Sequence, residues 1–467
     1  MEIYEISETE FYIDKCRDYW TDFAERKGRS FRFCVVTFGC QMNERDSEKL
    51  CGILSKMGGV ATTEERQADL ILYNTCTVRE NADKRVFGRL GVLKSIKEEN
   101  PDLLICLCGC MMQEETVIEK LRKSYSFVDL IFGTHNLYEF APLLWTRLDS
   151  GCQIIQIWKE AREIVEDLPV KRKYAFKSGV NIMYGCDNFC SYCIVPYVRG
   201  RERSRNPKDI IREIEALAAD GVKEVMLLGQ NVNSYGKGLT PAVDFSELIS
   251  EVEKVDGIER IRFMSSHPKD LSDKLISVMA SSKKICRHVH LALQSGSSRL
   301  LERMNRHYSK EDFLSLVDRM RTAMPDLAVT TDIIVGFPGE TREDVDHTID
   351  VIEKARFDGA FTFVYSKRTG TPAASMPDQV SEDFVKVEFD RVLQTVQRVA
   401  SDQAKRFTGQ VVPVLVEGVN EKDSSMVTGR MSQNHSVHFP GSPDLIGQIV
   451  NVHLDQCLGF YYIGSRA

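Results

Sequence analysis

Twice along this chain, short apolar runs alternate with amphipathic polar stretches, and that alternation leaves few folds open. In residues 31–150 the runs 32–38, 70–73, 103–107 and 128–132 each lead through a loop into a helical segment. From Val180 to about Gln403 the runs 180–183, 224–228, 261–265, 288–293, 329–335 and 359–365 repeat the rhythm, with helices such as 209–219 and 310–320 between them. Strands separated by helices pair in parallel, because the helix supplies the crossover. The first stretch therefore reads as a doubly wound parallel sheet, and the second as a partial six-repeat (β/α) barrel. After a long charged helix (381–406) the runs 411–416, 435–439 and 449–454 are broken by Gly, Asn and Pro, the texture of a small all-β barrel. The expected α/β organisation is an N-terminal extension (1–30), a sheet domain (31–150), a linker (151–175), a barrel core (176–403) and a β-barrel domain (404–467). The extension is charged and weakly periodic, either a helix ordered on contact or a mobile arm.

Composition narrows the chemistry. With 43% apolar and 28% charged residues the 467-residue chain has the ordinary globular mix, which excludes a disordered or fibrous protein. Its 61 Lys and Arg against 68 Asp and Glu exclude a basic coat, so any nucleic-acid partner must be met by a local patch. No apolar run is long enough for a membrane helix, and the acidic N-terminus has no signal-peptide pattern, so the expected location is the cytoplasm with no membrane partner. In that reducing compartment 14 cysteines point to metal ligation rather than disulfides.

Three of them, Cys186, Cys190 and Cys193, stand at offsets of four and three just after the first barrel strand, at the face where such folds place their chemistry. Three thiolates in one loop hold three corners of a [4Fe–4S] cubane and leave one iron open. The other reading is a structural zinc loop, but zinc sites favour paired Cys-x2-Cys spacing and no His lies nearby. Further barrel-strand ends carry small or amide residues: Gln230, Asn231 and Asn233; Ser266 and His267; Gln294; and the run from Asp332 through Gly336 and Gly339 to Glu340. Such groups suit ribose, carboxylate and amine recognition, or serve only as turns. Arg306 is either a cation for a bound carboxylate or a solvated helix end.

In the first domain Cys40, Cys76 and Cys110 each follow a strand. If the sheet is parallel, their loops meet at one edge and can hold a second cubane. Cys108 competes with Cys110, and the chain order does not decide between them. Cys16, Cys34, Cys51, Cys106, Cys152, Cys286 and Cys457 read as fillers of the core. A basic loop, with Arg199, Arg201, Arg203 and Arg205 followed by Lys208, offers cations for phosphates or forms a solvated surface. The last domain has five basic and five acidic residues from Ala404 on, and Phe439, Phe460 and Tyr461 are its candidate stacking platforms or core residues.

The Cys186–Cys190–Cys193 spacing, with Tyr192 in the aromatic place and six β/α repeats around it, resembles the radical S-adenosylmethionine (SAM) superfamily. With the second trio, the chain from about residue 32 onward resembles the methylthiotransferases; the family pattern selects Cys110 over Cys108. The segments 407–410, 414–418, 428–430, 434–439 and 446–450 resemble a TRAM domain, an RNA-binding β-barrel. The stretch Cys76, Arg79 and Asn81 with 86–90, together with 182–185, 200–205 and 229–235, is similar to the branch that modifies isopentenylated adenosine next to the tRNA anticodon. Sister branches act on threonylcarbamoyl-adenosine in tRNA or on a ribosomal-protein aspartate. The resemblance implies two [4Fe–4S] clusters, one on Cys186, Cys190 and Cys193 and an auxiliary one on Cys40, Cys76 and Cys110. It also implies two SAM per turnover; the strand-end groups Gln230, Asn231, Ser266, Gln294, Arg306 and Asp332 are then the candidate SAM contacts, and Arg199, Arg201, Arg203 and Arg205 of the basic loop the candidate RNA contacts. A SAM-derived radical would remove hydrogen from carbon 2 of the adenine, the auxiliary cluster would carry the sulfur, and the second SAM would give its methyl group. The expected partners are the tRNA anticodon stem-loop and an electron donor, with the enzyme a monomer. From another class, a non-catalytic RNA-binding protein with structural zinc remains the rival.

Overall fold

A computed structural model describes residues 6–77, 80–161 and 163–467. Val78 and Arg79 of the motif after Cys76 lie outside the described residues. The chain divides into two units. One takes in the described residues up to Lys173 with Tyr184–Cys186 and Ile194–Glu202, and the other holds Tyr174–Met183, Asp187–Cys193 and Arg203–Ala467.

The first unit runs α1 (Ile6–Lys27), β1 (Arg32–Thr37), α2 (Gln41–Lys56), β2 (Val60–Ala61), β3 (Leu70–Thr75), α3 (Glu80–Glu99), β4 (Leu104–Gly109), α4 (Glu115–Ser124), β5 (Leu130–Phe132), α5 (Phe140–Ser150) and β6 (Ile154–Gln156). The six strands form one parallel sheet in the order β2-β1-β3-β4-β5-β6. Successive side chains point to opposite faces of a strand, so apolar residues at every position are buried only if helices cover both sides. Leu70, Leu72, Leu104 and Cys106 pack toward α1, α2 and α5, while Ile71, Tyr73, Ile105 and Leu107 pack toward α3 and α4. The doubly wound sheet is therefore as expected.

Three details refine the sequence reading. Of the two readings of the extension, residues 6–27 take the helical one: α1 buries Ile13, Cys16, Trp20 and Phe23, and the Trp20 indole stacks on Phe31 at 4.1 Å and 12°. A stripe at positions 13, 16, 20 and 23 is one face of a helix, hidden in the sequence among many charges. The expected linker 151–175 contains β6, which extends the sheet through Leu130↔Ile154. Cys152, expected in the core, is exposed next to the left-handed Gly151 that ends α5.

The chain continues through β7 (Lys177–Asn181), β8 (Met183–Tyr184), α6 (Val195–Arg199) and β9 (Arg203–Ser204) into α7 (Pro207–Ala219), β10 (Glu224–Leu228), α8 (Phe245–Glu253), β11 (Arg260–Phe263), α9 (Asp273–Ser281), β12 (His288–His290), α10 (Ser298–Arg303), α11 (Lys310–Ala323), β13 (Ala328–Val335), α12 (Arg342–Ala355), β14 (Gly359–Val364) and α13 (Glu382–Ala404). In the second unit the parallel sheets β11-β10-β7 and β12-β13-β14 join through the bridge Ser266↔Leu291, giving six strands in sequence order, an open barrel. Strands β15 (Val411–Val419), β16 (Met426–Met431), β17 (Ser436–Pro440), β18 (Ile449–Cys457) and β19 (Tyr461–Arg466) close a separate small barrel.

That small barrel is fastened to the open one by buried charge. Arg262 is held by Glu224 at 2.9 Å and donates to the carbonyls of Met431 and Ser432 at 2.9 and 3.1 Å. Arg260 donates to Arg430 O and Pro413 O, both at 2.7 Å. Among the described residues no helix is long and apolar enough to cross a membrane.

Because Trp20 is 4% exposed, Trp20→Ala is expected to destabilise the first unit by about 3–5 kcal/mol in urea unfolding. A change below about 1 kcal/mol would show that α1 does not dock in solution.

Candidate functional site

Register brings the first thiols together. Strand pairing matches Thr37 with Asn74, Asn74 with Cys108, and Thr75 with Gly109, so β1, β3 and β4 end nearly level. Cys40 caps the start of α2, Cys76 follows β3, and Cys110 opens a short 3-10 turn after β4. The loops are tight: a Cβ on Gly39 would lie 3.0 Å from the Cys76 Cβ, and one on Gly109, at φ +100°, would lie 2.2 Å from Thr75 O. Only glycine tolerates both the left-handed backbone and that approach at 109. Cys108 is buried in the apolar face toward α1, α2 and α5, whereas Cys110 is within electrostatic reach of Cys40 and Cys76.

A polar network ties these loops. Asn43 Nδ2 donates to Asn74 Oδ1 and Thr75 O, both at 3.0 Å, and Asn74 Nδ2 returns a bond to Asn43 O at 2.8 Å. The Cys40 thiol donates to Asn43 Oδ1 at 3.2 Å. The guanidinium of Arg199 closes the network, donating from Nε to Cys110 Sγ at 3.2 Å and from Nη2 to Asp46 Oδ2 at 3.2 Å and Asn43 Oδ1 at 3.4 Å. Burial pushes the Cys110 thiol up to about 12, and the Arg199 charge acts against it. Two buried thiols, a third at their edge and an adjacent fixed cation are a donor set that fits an iron–sulfur cluster.

In the second unit the loop of Cys190 and Cys193 is clamped by residues 303–306. Ser191 N donates to Met304 O at 3.0 Å, Ser191 Oγ to Arg303 O at 2.8 Å, and Asn305 Nδ2 to Asn188 O and Phe189 O, both at 3.0 Å. Arg306, 4% exposed, donates to Cys190 Sγ at 3.4 Å, to Ala292 O at 2.7 Å and to the Tyr308 hydroxyl at 3.2 Å, so it is no solvated helix end. Cys186 lies in the first unit, its N–H donating to Gly200 O at 3.2 Å. Among the described residues no three His, Cys, Asp or Glu side chains are gathered as a single metal ion requires. A cubane, with one thiolate per iron corner, spaces its ligands more widely than one zinc does.

The barrel-strand ends divide into braces and open groups. Asn231 is a brace: its Nδ2 donates to Asp270 at 2.7 Å and its Oδ1 accepts from His267 N at 3.3 Å. Asp332 takes the His290 ring nitrogen at 3.2 Å. Gln294 adopts φ +71°, its N–H donating to Asp332 O at 2.8 Å, and Gln230 follows β10. Ser266 Oγ, His267 Nε2 and both amide atoms of Asn233 are buried without a hydrogen-bond partner. Burial, aided by the Arg306 charge, holds the His267 imidazolium down to about 2, so the ring is neutral. Buried polar atoms left open at two neighbouring strand ends fit a polar ligand such as SAM.

The basic loop is corrected. Arg199 is buried against Cys110 and Asp46, and Arg205 is buried on Glu213 at 2.7 Å and Asn181 O at 2.5 Å, so neither faces phosphate. Of the four arginines only Arg201 is exposed, with Arg203 half-buried, and Lys208 beyond them is exposed as well. In the last barrel Phe439 is core and Phe460 stands out at 64% exposure, with Tyr461 between. The sequence reading missed Asn43, Asp46, Asn305 and Tyr308. Asn43 and Asp46 fall on one turn of α2 after Cys40, the one signal that pointed to them.

Residues 180–352 match the Radical SAM superfamily, 32–133 the uncharacterized protein family UPF0004 and 405–465 the TRAM domain. The chain is similar to a radical SAM methyltransferase, TsrM, from Kitasatospora setae (TM-score 0.53, 16% identity, 74% of this chain and 77% of that one), a likeness of fold alone. These define a radical SAM protein with an added N-terminal sheet domain and a TRAM barrel. Proteins named tRNA-2-methylthio-N(6)-dimethylallyladenosine synthase are 58% identical in Lachnoclostridium phytofermentans (96% of this chain, 98% of that one) and 51% identical in Acetivibrio thermocellus (97% and 94%). The chain belongs to that family.

A buried carboxyl gives a pH test of the β13 loop. Glu340 accepts from Gly336 N–H, yet burial dominates and pushes it up to about 8. The folded state then holds a proton that the unfolded chain loses near pH 4.5, so stability falls as pH rises through that window, by at most about 1.4 kcal/mol per unit. Glu340→Gln, neutral throughout, is expected to flatten the slope in urea midpoints measured from about pH 5 to about pH 9. Parallel slopes in the two proteins would refute this.

Proposed function

We propose that this chain methylthiolates carbon 2 of N6-isopentenyladenosine next to the tRNA anticodon. The observation that carries the reading is 58% identity over 96% of the chain to a protein of that name. Cys186, Cys190 and Cys193 would hold the SAM-binding [4Fe–4S] cluster, and Cys40, Cys76 and Cys110 the auxiliary one. When bound, these clusters with two SAM per turnover supply the reductive cleavage of a sulfonium, the sulfur atom and the methyl group. The protein's own residues do the positioning. Asn305 and Arg306 fix the loop of Cys190, Ser266 and His267 offer open hydrogen-bonding atoms to SAM, and the Asn43–Asn74 bonds hold two thiol loops in register. Gln230, Gln294 and Asp332 complete the proposed SAM surroundings, with Asn231 acting through the β11 loop that it braces. The adenine C–H is too weakly acidic for a side-chain base, so water-free radical chemistry suits it. Arg201, Arg203 and Phe460 are the residues proposed to meet the anticodon stem-loop. A monomer in the cytoplasm served by a separate electron donor completes the proposal.

Nucleosides from tRNA of a strain lacking the gene test it: the 2-methylthio derivative of isopentenyladenosine is expected to vanish. Loss of the threonylcarbamoyl product, or of the ribosomal-protein modification, would overturn the substrate. Anaerobically purified protein is expected to carry about eight irons per chain; zinc without labile sulfide would leave a non-catalytic RNA-binding protein. Cys190→Ala is expected to abolish SAM cleavage. Cys76→Ala is expected to keep cleavage and lose product, and product from that variant would reverse the roles of the trios.

A further inference from the structure

We infer that Arg199 is a positioning residue for the auxiliary centre: through its bond to the Cys110 sulfur it balances thiolate charge and holds that centre at a higher reduction potential. The inference rests on the proposal that Cys40, Cys76 and Cys110 hold a cluster. A buried guanidinium is costly unless every donor has a partner. Here Nε faces sulfur, and Nη2 faces both Asp46 and Asn43. Ile194 and Val198, from the same segment as Arg199, pack on Cys110 and keep water from that sulfur.

The arrangement is asymmetric. Cys40 is exposed and its thiol bonds to the neutral Asn43 amide, whereas Cys110 is buried and takes the Nε–H of Arg199. Asp46 pairs with the outer nitrogen, which leaves the Nε–H directed at sulfur. A structural ion pair would need only Asp46; aiming the Nε–H at a thiol adds a function that the pair does not require. Hydrogen bonds to the sulfurs are among the levers that set cluster potentials. One-electron reduction adds negative charge to the centre without making or breaking a bond. An adjacent N–H dipole on a full positive charge stabilises the reduced form more than the oxidised one.

The test uses the full-length chain carrying Cys186→Ala, Cys190→Ala and Cys193→Ala, so that only the auxiliary centre remains, titrated with dithionite and followed by electron paramagnetic resonance. With Arg199 intact this protein is expected to hold about four irons; if it holds none, the cluster reading itself fails, whatever Arg199 does. Adding Arg199→Met is expected to lower the reduced-to-oxidised ratio about tenfold at a fixed potential, about 59 mV for one electron, with Arg199→Lys recovering part of it. Arg199→Met strands Asp46, so Arg199→Met with Asp46→Asn is measured beside it. An unchanged ratio in variants that keep their iron overturns the inference. So does iron loss with loss of the fold in both variants, which would make Arg199 a structural ion-pair residue. Iron loss from a folded protein, judged by circular dichroism, supports the charge-balancing role.

Discussion

Level strand ends are the constraint on which the first unit depends. Parallel strands advance their chains in one direction, so whatever follows each strand emerges at one edge. Pairing of Thr37 with Asn74 and of Thr75 with Gly109 sets that edge to within a few residues. A slip of one residue in β4 would turn Cys106 and Cys108 from the face toward α1, α2 and α5 to the opposite one and carry Cys110 away from Cys76. The unbroken run of buried residues in β3 and β4 opposes a slip only weakly, since both faces accept apolar side chains. Direct polar contacts supply the missing specificity. Thr75 Oγ1 donates to Cys108 O at 2.6 Å, and the reciprocal Asn43–Asn74 bonds fit one alignment only. Buried and mutually satisfied, these amides define register where hydrophobicity cannot.

Buried charge does comparable work in the second unit. Glu224, Arg260 and Arg262 stand on the floor of neighbouring strands, and the two arginines reach carbonyls of residues 413 and 430–432 in the small barrel. Carbonyl acceptors at the end of a β-ladder would otherwise be buried without partners. Asp358 adds to the joint by accepting from Val329 N–H at 2.8 Å while pairing with Arg406 at 2.5 Å. These pairs hold a TRAM barrel of zero net charge in a fixed orientation, so it presents Phe460 from a set direction rather than by tether. Burying several charges where apolar side chains would pack equally well contributes specificity more than stability.

The alternation of strand and helix carries most of the fold in plain view, most clearly in the first unit, where β3 and β4 are buried along their whole length. Contacts distant in sequence are what pattern reading cannot reach. Arg199 and Arg205 look like phosphate binders because a run of cations ordinarily means solvent. What buries them is a carboxylate, Asp46 or Glu213, that nothing local assigns to them. Arg306 was equally open between solvent and ligand until its three donors were placed. The N-terminal helix was one of two open readings, and its docking was hidden for a different reason. Its apolar stripe is only four residues wide, and its partners Phe31 and Phe140 lie in other elements.

The two cysteine loops therefore share a physical logic despite their different folds. Each has one sulfur facing a buried guanidinium, Arg199 at Cys110 and Arg306 at Cys190. Each guanidinium is fixed by acceptors other than the thiol: Asp46 and Asn43 in one case, Ala292 O in the other. Thiolates in a dry site repel one another, and burial alone favours the protonated thiol, as at Cys110. A lysine could offer charge, but its flexible ammonium cannot meet a sulfur and a second acceptor in fixed directions. An arginine at each loop orients one N–H toward sulfur and, at the clusters proposed there, would offset that repulsion. That requirement explains why both are buried, and why a motif defined by cysteines alone describes only half of each site.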